Sequence, residues 1–128
     1  MSKKRILIID DEADFCKLIK LNLELIGDFE VAIAGDGIQG FNSAKNLKPD
    51  LILLDIMMPR MDGFKVLEKL KGDMNTMALP VIMLTAKGDE ASKARAAQLY
   101  DEEYITKPIG APELKTKIEE VLRRGGVK

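Results

Sequence analysis

The feature that most constrains this chain is an alternation: short, nearly unbroken apolar runs take turns with longer segments whose apolar residues recur at spacings of three and four. Residues 5–9 form a β-branched and leucine run closed by Asp10 and Asp11. Such a run suits a strand buried on both faces, because a strand with one wet face would alternate apolar and polar residues. Residues 13–26 follow with Phe15, Leu18, Ile19, Leu25 and Ile26 at helical spacing, and Gly27 acts as a stop. The pattern predicts further strands over 29–34, 51–54, 81–84 and 103–106, and further helices over 37–47, 63–70, 89–99 and 112–123. Pro49, Asp50, Asp62 and Pro80 punctuate the joins, and Leu114, Ile118, Val121 and Leu122 form the buried stripe of the closing helix.

Strand–helix units joined by right-handed crossovers build a parallel sheet with helices on both faces, a doubly wound α/β domain. The 128 residues suffice for one core without disulfides or a structural metal. A single domain is expected over 1–124, with a frayed tail over 125–128. Repeats of solenoid period and low-complexity tracts are absent.

Composition then removes function classes. The sequence has no histidine and one cysteine, Cys16, which eliminates most zinc sites, every catalytic triad that needs an imidazole, and any intramolecular disulfide. A formal net charge of −1 lacks the basic stripe of a nucleic-acid binder, and Lys3, Lys4 and Arg5 are too few to make one. Apolar runs stop far short of a bilayer span, so the expected partners include neither nucleic acid nor membrane, and the expected location is the cytoplasm.

In an open parallel sheet, ligands bind beyond the carboxyl ends of the strands. Here those ends carry Asp10, Asp11 and Glu12 after the first strand, Asp55 after the third, Thr85 after the fourth, and Thr106 and Lys107 after the fifth. Each has an ordinary explanation on its own: Asp11 and Thr85 as helix caps, Asp55 as a turn residue, Lys107 as a solvated charge. Indifferent caps and turns would rarely gather at one edge of one sheet, so the set reads as a site. Crowded carboxylates need a cation, and an all-oxygen donor set selects a hard metal, Mg²⁺ before any transition metal. Mg²⁺ keeps open positions for phosphoryl oxygens, and a hydroxyl and an ammonium suit the remaining ones. Asp55 is left as the nucleophile.

These residues resemble the response-regulator receiver domains of the CheY-like superfamily over nearly the whole chain. The resemblance is carried by Asp10-Asp11-Glu12, by Asp55-Ile56-Met57-Met58-Pro59-Arg60-Met61-Asp62-Gly63, by Thr85-Ala86, and by Tyr104-Ile105-Thr106-Lys107-Pro108. It implies the flavodoxin-like strand order 2-1-3-4-5, which the alternation alone leaves open. It further implies that Asp55 takes a phosphoryl group from the phosphohistidine of a sensor histidine kinase or histidine phosphotransfer protein. Asp11, Asp55 and the Met57 backbone carbonyl would bind Mg²⁺, with Asp10 acting through water. Thr85 and Tyr104 would be the switch residues, Lys107 would pair with the phosphoryl group, and the Lys107–Pro108 peptide would be cis. Such a protein is no enzyme toward other substrates, since it catalyses only its own phosphorylation and dephosphorylation. A downstream protein would be met through the face of the helix at 89–99, the strand at 103–106 and the closing helix.

Rival readings exist. Gly35-Asp36-Gly37-Ile38-Gln39-Gly40 satisfies the dinucleotide pattern G-x-G-x-x-G, but Asp36 would put a carboxylate where pyrophosphate should sit. A haloacid-dehalogenase-type phosphatase needs D-x-D, and Asp55 is followed by Ile56-Met57. A P-loop is absent from the sequence. The remaining alternative is a receiver-like interaction module that works without phosphate. Tyr100-Asp101 and Ile109 depart from the family's usual Gly-Ala pair and phenylalanine, which bears on output specificity and leaves the chemistry untouched. Met57 and Lys87 hold positions that tune phosphate lifetime in the family, and a thioether orients water poorly, so slow self-dephosphorylation is expected. Lacking histidine, the chain cannot carry its own donor, and the sequence ends soon after the closing helix, so donor and target are expected to be other molecules.

Overall fold

The computed structural model describes residues 3–86 and 102–126. Its elements run β1 (Lys4–Ile9), α1 (Ala13–Ile26), β2 (Phe29–Ala34), α2 (Gly37–Leu47), β3 (Leu51–Asp55), α3 (Gly63–Lys71), β4 (Val81–Ala86), β5 (Glu103–Lys107) and α4 (Ala111–Gly126). The predicted helix over 89–99 lies outside the described residues, as do Lys87, Tyr100 and Asp101. The closing helix runs on to Gly126, past the predicted end at residue 123.

The strands form one sheet in the order β2-β1-β3-β4-β5, every neighbouring pair parallel. Side chains alternate across it, and each parity feeds its own core. Ile6, Ile8, Leu51, Leu53, Ile82, Leu84 and Ile105 face α1 and α4, where Cys16, Ile19, Leu23, Leu114 and Ile118 complete the layer. Leu7, Ile9, Ile52, Leu54, Val81 and Met83 face α2 and α3 and meet Ala44, Phe64, Val66, Leu67 and Leu70. Two buried faces explain why the strands read as continuous apolar runs.

One expected pattern is corrected. On α1 the residues buried against the sheet are Cys16, Ile19 and Leu23, whereas Leu18 and Leu25 are 57% and 74% exposed and Ile26 is 41% exposed. The helix carries leucines on both sides, so spacing alone could not say which stripe the sheet would take.

The G-x-G-x-x-G segment is resolved as a packing device. Asp36 caps α2, its side chain accepting from the Gln39 N–H at 2.8 Å. A Cβ on Gly40 would come within 2.6 Å of the Ile9 side chain, so glycine here lets α2 lie directly on β1.

Candidate functional site

Strand parity builds the site. The series Ile6, Ile8 on β1 continues to Asp10, Leu51, Leu53 on β3 ends in Asp55, and Ile105 on β5 is followed two residues later by Lys107. The positions that supply core on the α1 side thus supply, one step past the apolar layer, two carboxylates and an ammonium at the carboxyl edge. Asp10 is 1% and Asp55 4% exposed. Lys107 Nζ lies 2.9 Å from Asp10 Oδ2 and 3.7 Å from Asp55 Oδ1, and it also pairs with Glu12.

Asp11 completes the cluster. Carboxylate oxygens of Asp10, Asp11 and Asp55 all lie within 4.8 Å of one another, Asp11 being the exposed member. Asp11 is not the helix cap: the N-cap of α1 is Glu12, without a side-chain capping bond, and the Glu12 N–H donates to Asp10 Oδ1 at 2.9 Å. Three carboxylates at this spacing, with no soft donor among them, fit a hard cation held by oxygen ligands.

The electrostatics register the crowding. Burial and then the Asp10 charge push the Asp55 carboxyl up to about 7, against the Lys107 charge and a hydrogen bond from the Met57 backbone amide that favour its ionised form. Burial alone would lower the Lys107 ammonium, but its bonds to Glu12 and Asp10 and the Asp55 charge raise it to about 12. The neighbouring Cys16 thiol, whose Sγ donates to the Asp10 carbonyl at 3.4 Å, is pushed up to about 12 by burial and by the Asp10 charge. It is therefore an inert core group.

A raised carboxyl pKa has a definite sign in stability. Asp55 titrates higher folded than unfolded, so its contribution is intact below the ordinary carboxylate range and is lost as pH rises toward about 7. At pH 8 without divalent metal, Asp55→Asn is expected to stabilise the protein by about 2 kcal/mol, less than the full charge penalty because the amide is still a buried polar group. Thermal melts with and without Mg²⁺ check this: the cation should raise the Tm of the parent and leave that of the variant nearly unchanged.

The loop after β3 seats Asp55. It doubles back through Arg60 at φ 69°, with the Met61 N–H on the Pro59 carbonyl at 2.7 Å and the Gly63 N–H on the Ile56 carbonyl at 2.8 Å. Asp62 then caps α3 by accepting from the Lys65 N–H at 3.0 Å. A Cβ on Gly63 would meet the Asp55 carbonyl oxygen and lie 2.8 Å from the Ile56 Cα.

Asp10, Asp11, Asp55 and Lys107 are thus brought together. Thr85, fully buried, stands on the opposite parity of β4, and its hydroxyl donates to Thr106 Oγ1 at 3.5 Å. Tyr104 is 41% exposed on β5. The Lys107–Pro108 peptide is cis. Sequence reasoning put Glu12 at the sheet edge and Phe15 in the apolar pattern of the first helix but linked neither to Lys107, which Glu12 pairs with and whose Nζ lies 4.4 Å from the Phe15 ring centroid. Their position in the first turn after Asp10-Asp11 was the available signal.

A flavodoxin-like parallel sheet with a carboxylate cluster and a lysine at its carboxyl edge defines a class, and the comparisons agree with it. The profile of the response regulator receiver domain matches residues 6–119. The chain belongs to the response regulator receiver domain family. It is 42% identical over 120 residues to the DNA-binding dual master transcriptional regulator RpaA of a Synechocystis species, covering 94% of this chain and 49% of that protein. It is likewise 42% identical over 126 residues to the phosphate regulon transcriptional regulatory protein PhoB of Pseudomonas aeruginosa, covering 98% and 55%. Among solved structures, a CheY-like response regulator receiver domain protein from Methanospirillum hungatei superposes with a TM-score of 0.86 at 32% identity, covering 98% of each chain. The chain spans about half the length of the two transcriptional regulators. Among the described residues, no helix is long and apolar enough to cross a membrane.

Proposed function

We propose that this receiver accepts a phosphoryl group on Asp55 in a Mg²⁺-dependent reaction and passes the signal to a partner by a change of conformation. The observation that carries the proposal is Asp55 itself: a 4% exposed carboxylate at the end of the central strand, 3.7 Å from a lysine ammonium and inside a cluster able to hold a metal ion. In the reaction, an Asp55 oxygen forms the new bond to phosphorus while the bond from phosphorus to the donor's imidazole nitrogen breaks, its electron pair leaving with the imidazole. Lys107 stands ready for phosphoryl oxygens once it turns from its present carboxylates. Mg²⁺, held by Asp11, Asp55 and the Met57 carbonyl with Asp10 behind a water, would neutralise charge as the group transfers. The chemistry is confined to the protein's own carboxylate, so it is no enzyme toward other substrates.

The donor is a sensor histidine kinase or histidine phosphotransfer protein, the kind of partner that membership of the receiver family implies. Thr85 and Tyr104 are the switch residues: phosphate favours the conformation in which the Thr85 hydroxyl leaves Thr106 for the phosphoryl group, shifting an existing equilibrium. The output is a protein target met through β5, α4 and the segment between β4 and β5, in the cytoplasm. The expectation of no nucleic-acid partner concerns the receiver alone; for RpaA, DNA binding is stated of a protein about twice as long.

An acyl phosphate can be trapped chemically. Borohydride reduction after incubation with acetyl phosphate and Mg²⁺ is expected to convert position 55 to homoserine in a peptide map. Homoserine at another position, or none, would contradict the assignment.

Met57, 63% exposed, lines a cavity of about 320 Å³ with Asp55 and Lys107. Its thioether shields the acyl phosphate and cannot direct an attacking water. Met57→Asn is expected to shorten the phosphate half-life about tenfold, the worth of roughly one hydrogen bond that orients the attacking water. Lys87→Ala is expected to shorten it also. Phosphoprotein decay followed by mass spectrometry tests both, and unchanged lifetimes would remove the shielding role.

A further inference from the structure

Lys107 has three hydrogen-bond donors and no acceptor. Asp10 and Glu12 take ion-paired contacts, with Asp55 next at 3.7 Å. The fourth neighbour is of another kind, the ring of Phe15, centred 4.4 Å from the ammonium. Phe15 enters from the first turn of α1 and packs, half-buried, against the core on that side of the sheet. It also lines the cavity shared by Asp55, Met57 and Lys107.

An aromatic face attracts a cation through its quadrupole, and the attraction does not depend on where the N–H bonds point. The carboxylates behave differently, each fixing one donor direction. Glu12, whose side chain is 60% exposed, draws the ammonium toward solvent. If Lys107 is to exchange Glu12 for phosphoryl oxygens on Asp55, something must keep the ammonium in place while its hydrogen bonds turn over. The Phe15 ring can do so, because it is anchored in the core and holds the cation without claiming a particular N–H.

We infer that Phe15 is a positioning residue for phosphoryl transfer, its ring retaining the Lys107 ammonium beside Asp55 while the ammonium changes partners. The inference rests on Asp55 being the phosphoacceptor. It assigns Phe15 a role beyond filling the α1 side of the core.

The test compares the parent with Phe15→Leu, which keeps an apolar side chain in the core, and Phe15→Tyr, which keeps the ring. Two quantities are read: the dependence of phosphorylation rate on acetyl phosphate concentration in Mg²⁺, and the NMR shifts of the Lys107 ε-methylene protons in the unphosphorylated protein. The expected result is a maximal rate lowered about fivefold in Phe15→Leu, within the strength of one partly desolvated cation–ring contact, at an unchanged half-saturating concentration. The ring-current upfield shift at Lys107 is lost in Phe15→Leu, and Phe15→Tyr restores both rate and shift. Equal maximal rates in the parent and Phe15→Leu would overturn the inference. A deficit shared by Phe15→Tyr, or an effect confined to half-saturation, would do so as well. If the parent itself forms no adduct, the phosphoacceptor reading falls and this inference with it. A normal parent adduct with an unaffected Phe15→Leu removes this inference alone.

Discussion

Replacing Gly63 by alanine is expected to cost about 3 kcal/mol of stability and roughly 10 °C in Tm. The added Cβ would meet the Asp55 carbonyl oxygen, with Ile56 Cα at 2.8 Å and the Asp55 carbonyl carbon at 3.0 Å. All three are backbone atoms, so no side-chain rotation relieves the overlap. Relief requires moving either the start of α3 or the end of β3. The start of α3 is tied by the Gly63 N–H to the Ile56 carbonyl and by the Asp62 cap. The end of β3 is flanked by β1 and β4, with Asp55 level with Leu84. Either shift displaces Asp55, so the variant should also lose Mg²⁺ affinity. Denaturant melts and Mg²⁺ titration measure the two effects, and a variant as stable as the parent would mean the loop is far more pliant than this packing implies.

Lys107→Ala is expected to be of similar size, about 3 kcal/mol at pH 8 without divalent metal, because removing one partner of a buried ion pair strands the other charge. Two side chains are stranded here: Asp10, fully buried, and Asp55, 5% exposed. Burial, and after it the Asp10 charge, already pushes Asp55 up to about 7 with Lys107 present. The loss should shrink at acid pH, where Asp55 takes up its proton, and should shrink again when Mg²⁺ replaces the missing cation. Surface pairs such as Arg5 with Glu30, both well exposed, offer a contrast. Breaking that pair should cost no more than about 1 kcal/mol. Thermal melts of both variants with and without Mg²⁺ distinguish the cases. A Lys107→Ala melt indistinguishable from the parent would show that the acidic pocket does not depend on its lysine.

How far the sequence reaches can be seen residue by residue. Strand positions were legible because a strand buried on both faces leaves an unbroken apolar run, and the site was legible because the acids and the lysine interrupt those runs at one edge. Strand order was not, since alternation constrains which elements exist and says nothing about which strands are neighbours; it came from the resemblance. On α1, Leu18 and Leu25 compete with Ile19 and Leu23 for the core face, and only the sheet and the closing helix packed against α1 decide between them. The contacts of Glu12 and Phe15 with Lys107 escaped because they join positions 95 and 92 residues apart, the first separation being that of the Glu12 hydrogen bond and the second following from the ring contact of Phe15 with Lys107. Thr85 was placed at the right edge, yet the direction of its hydroxyl toward Thr106 depends on the pairing of β4 with β5.

The central claim is that Asp55 is a Mg²⁺-dependent phosphoacceptor. Its most direct test is the intact mass of the protein and of Asp55→Asn after incubation with acetyl phosphate, with Mg²⁺ or with a chelator. One added phosphoryl group is expected on the parent in Mg²⁺ alone and none on the variant. A parent that stays unmodified in Mg²⁺ would point to an interaction module that works without phosphate, and an adduct that survives in Asp55→Asn would place the acceptor on another residue.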